Sequence, residues 1–221
     1  MAQIRIGSWF LRVRPYIPFT SLNTVLRKLD REARTVLDVG CGKGVPARAI
    51  KQRTGARIVG CDIFIPYLQE CGRKGYHDAL LVCDVRALPF VEKSVDVVVC
   101  LEVIEHLGRQ DALELLQDLQ AIARRQIILS VPRGAYEQHE YDGNRHQEHK
   151  SVWSPTDFRQ LGYKVCGHGV RNLAGEAGLA SRLPPLLRPS WYFLWVLAGL
   201  LVYRRPEWCG DMVCVKTFSP K

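Results

Sequence analysis

Short apolar runs alternate with helical patterns along this chain, and the alternation predicts an α/β fold. The runs are rich in valine, isoleucine and leucine and lack polar alternation, which is typical of strands covered on both faces. Two later strands are expected at Tyr163–Gly167 and Asp211–Thr217, after earlier ones that begin near residues 36, 57, 79, 94 and 126. Residues 111–125 carry apolar side chains at helical spacing, with Asp111 and Glu114 as the expected N-terminal cap. Strands that alternate with helices predict a doubly wound, Rossmann-like sheet.

A glycine-rich turn follows the first predicted strand, in the stretch VLDVGCGKG at 36–44. Gly40, Gly42 and Gly44 let the backbone turn tightly and approach a ligand closely, since a Cβ would clash or forbid positive φ. A dinucleotide-binding G-x-G-x-x-G turn would need its third glycine where Val45 stands. The spacing therefore favours a nucleotide-type cofactor and weakens a hydride-transfer interpretation.

Each of the first four predicted strands ends in or near an acidic residue. Asp38 lies inside the end of the first strand, Asp62 ends the second and Asp84 follows the third. The fourth strand leads directly into the acidic stretch 102–106. An acid at the tip of the second strand of such a fold can accept hydrogen bonds from two ribose hydroxyls. The pattern predicts a cofactor site at the carboxyl ends of these strands.

Together these features resemble the "type 11" family of class I S-adenosylmethionine (SAM) methyltransferases. The resemblance rests on the D-x-G-x-G-x-G turn, the acid after strand two, the D-x-x-x-L-P-F stretch and the E-V-I-E-H-L motif, in that order between Val36 and Leu107. It implies an enzyme of EC class 2.1.1 that moves a methyl group from SAM to an oxygen or nitrogen acceptor. It also implies a seven-stranded sheet of order 3-2-1-4-5-7-6 with the last strand antiparallel.

The resemblance further implies which residues hold SAM. In the family the acid after strand three accepts a hydrogen bond from the adenine amino group, and the backbone N–H of the next residue donates to the same edge of the adenine. The residues expected to contact SAM are Asp38, Gly40, Cys41, Gly42, Gly44, Asp62, Ile63, Asp84, Val85 and Leu101.

Candidates for the acceptor side are Glu102, His106 and His149, which follow the fourth and fifth strands. Methyl transfer to an oxygen or nitrogen can require a base or a metal beside the acceptor, and the expectation here is a base without a metal. The alternative is structural: Glu105 and His106 position the loop, and His149 packs or bonds locally.

A metal-dependent alternative rests on a second resemblance. E-x-x-E-H, then R-H-x-x-H and W-S-P-x-D-F, resemble the magnesium-dependent methyltransferases that modify the terminal 2′-hydroxyl of small RNAs. That family implies a metal held by Glu102, Glu105, His106 and either His146 or His149. Two histidines are unusual ligands for magnesium, which prefers oxygen. The chain has no recognisable RNA-binding domain, which disfavours this alternative and makes a nucleic-acid substrate the weaker expectation.

The 221 residues suit one domain with two additions. The additions are an N-terminal extension at 1–34 and an insertion at 170–210, expected to form a substrate lid or docking element. Within the insertion, Trp191–Tyr203 is an uncharged run of thirteen residues. Because a spanning helix needs about 20 residues, the run predicts a buried, lid or interfacial helix.

The formal net charge of +9 resides in the terminal segments, with +5 in residues 1–35 and +4 in residues 181–221. Such segments suit an anionic membrane surface, a phosphorylated substrate or simple solubility. The expected acceptor is a small or lipid-linked molecule, and the third hypothesis is a peripheral membrane or assembly protein that retains a SAM-binding fold.

Eight cysteines without a C-x-x-C pair predict no zinc site. No secretory signal is recognised, so the cytoplasm is the expected compartment, with peripheral membrane attachment as the alternative.

Overall fold

The computed structural model describes residues 20–135, 140, 142–170 and 198–218. Its strands are β1 (Thr35–Val39), β2 (Arg57–Asp62), β3 (Ala79–Val82), β4 (Val95–Leu101), β5 (Ala123–Pro132), β6 (Lys164–Val170) and β7 (Cys209–Thr217). Within the described ranges they form a seven-stranded sheet of order β3-β2-β1-β4-β5-β7-β6. The first five strands pair in parallel, and β7 is antiparallel to both β5 and β6. The predicted strand order and antiparallel last strand are confirmed.

Helices pack on both faces of this sheet. They are α1 (Ser21–Lys28), α2 (Val45–Thr54), α3 (Ile65–Lys74), α4 (Arg109–Ile122), α5 (Pro155–Gln160) and α6 (198–204). Neighbouring residues of β1 contribute to opposite layers, because successive strand side chains point to opposite faces. Val36 packs with buried residues of α1 and α2, whereas Leu37 packs with those of α4 and with Trp153. The unbroken apolar strands are therefore covered on both sides, as predicted.

The limits of α4 differ from the predicted 111–125. The helix begins at Arg109, with Gly108 at its N-cap, so the predicted cap by Asp111 and Glu114 is wrong. The Ala112 N–H donates to the Gly108 carbonyl at 3.0 Å and closes a first turn in which Asp111 already lies.

The same helix ends early because a distant side chain satisfies its last carbonyls. The Lys93 ammonium donates to the carbonyls of Gln120 and Ala123, each at 2.9 Å. Ala123 then starts β5 opposite Val95. A contact between segments far apart in sequence thus sets this boundary.

The last two strands are longer than predicted, so the segment between them is 171–208 instead of 170–210. Residues 1–19 and 171–197 lie outside the described residues, and with them most of both predicted additions. Residues 198–203, the described end of the run predicted to be helical, lie in α6. Val202 is buried there, whereas Leu200 and Leu201 are exposed. Within the described ranges, every helix is too short or too polar to cross a bilayer.

Candidate cofactor and acceptor site

A cavity of about 890 Å³ opens at the carboxyl ends of the parallel strands. Nearly all the predicted cofactor and acceptor residues line it: Asp38, Gly40, Cys41, Gly42, Asp62, Ile63, Asp84, Val85, Leu101, Glu102 and His106. Among the predicted residues, Gly44 and His149 are outside this lining. Gly44 instead forms the N-cap of α2 in the left-handed conformation. The strand ends thus bring the two predicted halves of the site into one space.

The glycine turn has the backbone that its sequence predicts. Gly40, Gly42 and Gly44 have φ of +65°, +51° and +70°. A Cβ at Gly40 would lie 2.4 Å from Val103 Cγ2, whereas one at Gly42 would meet no described atom within 4 Å. Gly40 is therefore required by packing, and Gly42 leaves the turn open where it borders the cavity.

Asp62 ties this turn to the end of β2. Its Oδ2 accepts the N–H of Gly42 at 2.9 Å, and its Oδ1 accepts the N–H of Phe64 at 2.9 Å. The Cys41 N–H also donates to the Cys61 carbonyl at 2.9 Å. The carboxylate is thus fixed in place, and each of its oxygens retains capacity to accept from a ribose hydroxyl.

Asp84 has a partner that sequence reasoning missed. It accepts from the Arg86 backbone N–H at 3.0 Å and from the Arg86 guanidinium at 2.5 Å. The hydrogen bond from that guanidinium holds the pKa of Asp84 below its usual range, so the carboxylate stays ionised at neutral pH. The spacing of two residues was visible in the sequence, but their bond was not.

Asp38 also has an unpredicted partner. His77 Nε2 lies 2.9 Å from Asp38 Oδ2, and the two side chains are almost fully buried. Burial raises the pKa of Asp38, and the bond to His77 opposes that rise. His77 lies between α3 and β3, outside every motif that the sequence offered.

Glu102 and His106 form the acceptor side of the cavity. Glu102 has φ of +55°, unusual for a residue with a side chain, and its Oε1 accepts from the Ser130 hydroxyl at 2.5 Å. His106 Nδ1 lies 3.2 Å from the Glu148 carbonyl, which can only accept, so Nδ1 carries the proton. Burial lowers the pKa of His106 to about 4. The imidazole is therefore neutral at neutral pH, with its lone pair on Nε2.

A compact group of possible metal ligands adjoins this side. Within the described ranges, ligand atoms of Glu105, His106 and His149 all lie within 4.8 Å of one another. The His106 and His149 rings have centroids 4.9 Å apart. Of the two histidines that the metal alternative left open, His149 joins this group and His146 lines the cavity.

Glu105 is the most buried member of that group, with 1% of its surface exposed. Neither of its carboxyl oxygens accepts a hydrogen bond within the described part of the chain. Burial, and next the charge of Glu102, raises the pKa of Glu105 well above its usual range. A bound cation would offset both the burial of the Glu105 carboxylate and its repulsion by the charge of Glu102. The residues present therefore fit a metal, although a buried protonated carboxyl accounts for the same environment.

Residues 36–126 match the family model described as a methyltransferase domain. That span is less than half of the chain and contains the glycine turn and the acidic strand ends at the cavity, so this part of the chain resembles a class I SAM-dependent methyltransferase domain.

Individual relatives cover less of the molecule. A malonyl-[acyl-carrier protein] O-methyltransferase of Xylella fastidiosa is 39% identical over 85 residues, which cover 35% of this chain and 29% of that protein. The matches to this and three further curated relatives span between 22% and 33% of those proteins, so the chain covers a third or less of their length.

Two solved structures share the fold across almost the whole chain. The complex between the Haloferax volcanii Trm112 methyltransferase activator and a methyltransferase aligns with a TM-score of 0.61 and 21% identity, over 97% of this chain and 95% of that one. The methyltransferase domain of the bacterial protein CtHen1 aligns with a TM-score of 0.55 and 18% identity, over 94% and 100%. At this identity the likeness concerns the fold alone.

Proposed function

We propose that this chain transfers the methyl group of SAM to an oxygen or nitrogen of an acceptor held beside Glu102 and His106. The observation that carries the proposal is the continuity of the cavity. One space is bordered by the glycine turn and Asp62 on one side and by Glu102 and His106 on the other. Methyl transfer is an in-line displacement, so donor and acceptor must meet in one site from which competing water is excluded.

The residues present fit SAM. The turn at Gly42 is open to the cavity, and the Asp62 carboxylate is fixed at its rim by two backbone N–H groups. A volume of about 890 Å³ lies within the usual range of ligand sites. When bound, SAM supplies a methyl group activated by a sulfonium.

Glu102 and His106 would orient the acceptor. The Ser130 hydroxyl holds one oxygen of the Glu102 carboxylate, which fixes the side chain at the wall of the cavity. The Glu148 carbonyl holds His106 Nδ1, which fixes the imidazole ring. We assign to both groups the acceptance of a hydrogen bond from the hydroxyl or amine that is methylated.

Incubation of the purified chain with methyl-labelled SAM and separate lipid, small-molecule and RNA extracts tests the proposal. We expect label in the lipid or small-molecule fraction with the wild type, and less label with Asp62→Ala when SAM is held near the wild-type Kd. Wild-type protein that binds SAM but labels no fraction would overturn the enzymatic proposal. That result would favour the alternative of a membrane or assembly protein with a retained SAM-binding fold.

A second candidate function has an observation of its own, the convergence of Glu105, His106 and His149. We infer that a divalent metal at this group would hold and polarise the 2′-hydroxyl of a terminal ribose, so that the acceptor would be RNA. Glu102, the other carboxylate of this alternative, bonds Ser130 and also lines the cavity. The neutral state of His106 and its Nε2 lone pair suit metal binding.

Resistance of a small RNA to periodate oxidation reports methylation of its terminal 2′-hydroxyl. We expect resistance only with SAM and Mg²⁺ or Mn²⁺, and loss of Mn²⁺ binding in Glu105→Gln and His149→Ala. His146→Ala is the matched control for metal affinity, because His146 lies outside the group. An RNA that stays fully oxidisable under every metal condition would remove this candidate.

A further inference from the structure

A second cluster of potential ligands lies beneath the glycine turn. Cys41 belongs to the turn, Cys71 to α3, and His77 to the segment that leads into β3. Their ligand atoms all lie within 4.8 Å of one another. Both cysteines are buried, with 4% and 1% of their surfaces exposed. The cluster draws on three separate segments, so no spacing motif in the sequence announces it.

The His77 ring is oriented as a ligand would be. Its Nε2 lies 2.9 Å from the Asp38 carboxylate, and its Nδ1 lies 3.1 Å from Cys71 Sγ. With the proton on Nε2 donated to Asp38, the Nδ1 lone pair faces the thiols. A histidine that binds a metal almost always donates its other N–H to a carboxylate, a carbonyl or water, which fixes the ring.

Two glycines leave the space that this cluster occupies. A Cβ at Gly44 would lie 2.7 Å from Cys71 Sγ. A Cβ at Gly60, on β2, would lie 2.7 Å from His77 Cδ2 and 2.9 Å from His77 Nε2. Side chains at either position would displace the thiol or the imidazole. Asp38 thus orients the His77 ring, and Gly44 and Gly60 leave room for the Cys71 thiol and the His77 imidazole.

We propose that Cys41, Cys71 and His77 bind one zinc ion. Two thiolates and one imidazole are three ligands of a tetrahedral zinc site, with the fourth position taken by water or another ligand. Each thiol releases its proton to solvent as its sulfur bonds the metal. Sulfur donors select zinc over magnesium, so this site differs in chemistry from the group at Glu105.

The ion would join the glycine turn, α3 and the approach to β3. Zinc should therefore raise the thermal unfolding temperature of the chelator-treated, reduced protein. This consequence is independent of the acceptor and of catalytic turnover.

Cobalt substitution tests the site, because thiolate ligands give Co²⁺ an intense near-ultraviolet charge-transfer band. We expect the wild type to develop this band with one equivalent of Co²⁺ and to lose it when Zn²⁺ is added. The band should be weakened or lost in Cys41→Ser and Cys71→Ser, since each keeps only one of the two thiolates, and weakened or shifted in His77→Gln. Cys83→Ser is the matched control: Cys83 is a free cysteine outside the cluster whose thiol is hydrogen-bonded with the thiol of Cys61, and its variant should keep the band. Cobalt at the group of Glu105, His106 and His149 would give no thiolate band.

X-ray absorption of the zinc-loaded wild type keeps the test independent of how the variants fold. We expect two sulfur neighbours at about 2.3 Å and nitrogen or oxygen neighbours at about 2.0 Å. A wild type without the cobalt band, a band of undiminished intensity in Cys71→Ser, or zinc with only oxygen and nitrogen neighbours would each overturn the proposal.

Discussion

Replacement of Asp62 by alanine perturbs the cofactor side of the site at one defined point. The carboxylate accepts the N–H groups of Gly42 and Phe64, each at 2.9 Å, and also lines the cavity. The alanine variant loses the acceptor for both backbone groups and the carboxylate proposed to bind ribose. We therefore expect weaker SAM binding together with a looser glycine turn.

The expected loss follows from the hydrogen bonds that disappear. A hydrogen bond to a charged group contributes about 1.5–3 kcal/mol net, and a neutral one about 0.5–1.5 kcal/mol. At the rim of an open cavity, water forms hydrogen bonds with the two N–H groups and offsets part of the free energy lost with the carboxylate. The net cost to SAM binding is then about 1–3 kcal/mol, which raises the Kd roughly 5- to 150-fold. Titration calorimetry with SAM measures this change.

Asp96→Ala is the matched control. The Asp96 carboxylate also accepts two backbone N–H groups, those of Arg34 at 2.8 Å and Thr35 at 3.0 Å, but at the opposite end of the sheet. Its variant should lose stability and keep the wild-type Kd for SAM. Wild-type affinity in Asp62→Ala, or equal weakening in both variants, would refute the reasoning.

Three further outcomes are expected. The hydrogen bond from the Lys51 ammonium holds the pKa of Asp78 below its usual range. The pair therefore stabilises the folded protein at pH values above the pKa that Asp78 has in the unfolded chain. This stabilisation is lost as the pH falls through the lower pKa that Asp78 has in the folded protein. Urea unfolding at several pH values should show that loss in the wild type and not in Asp78→Asn, at under about 1 kcal/mol because the pair is one-third exposed. Trp153→Ala should lower the free energy of unfolding by about 3–5 kcal/mol, measured by urea unfolding, because the side chain is buried; a loss below 1 kcal/mol would contradict the described packing. Co-sedimentation with anionic vesicles tests membrane docking: binding should weaken with salt and in the variant Arg204→Glu with Arg205→Glu, and no sedimentation at low salt would exclude it.

The strand order and most of the site could be predicted because their determinants are local. Each chemical motif lies at the end of an apolar strand, and parallel strands bring those ends to one edge of the sheet. Asp62 and Glu102 reached the cavity for this reason. The family match covers residues 36–126, the span that contains the glycine turn and the acidic strand ends at the cavity.

What the sequence could not reveal depends on contacts between distant segments. Lys93 binds the end of α4 from 27 residues away. His77 reaches Asp38 across 39 positions, and no periodicity encodes that distance. The positive φ of Glu102 was also hidden, because a glutamate gives no signal for a left-handed backbone. Tertiary packing decides all of these features.

The acceptor side limits which substrates the two functional hypotheses allow. A histidine whose pKa is about 4 is a weak base, and carboxylates are weak bases in general. Neither Glu102 nor His106 alone would take a proton efficiently from an aliphatic hydroxyl. Without a metal, the acceptor should therefore be a group that is already nucleophilic and can donate a hydrogen bond, such as an amine or an acidic hydroxyl. A ribose hydroxyl would need the cation at Glu105, His106 and His149. Methylation of a ribose hydroxyl should thus require a metal, whereas methylation of an already nucleophilic group should not. Metal-independent methylation of a ribose hydroxyl would contradict this link.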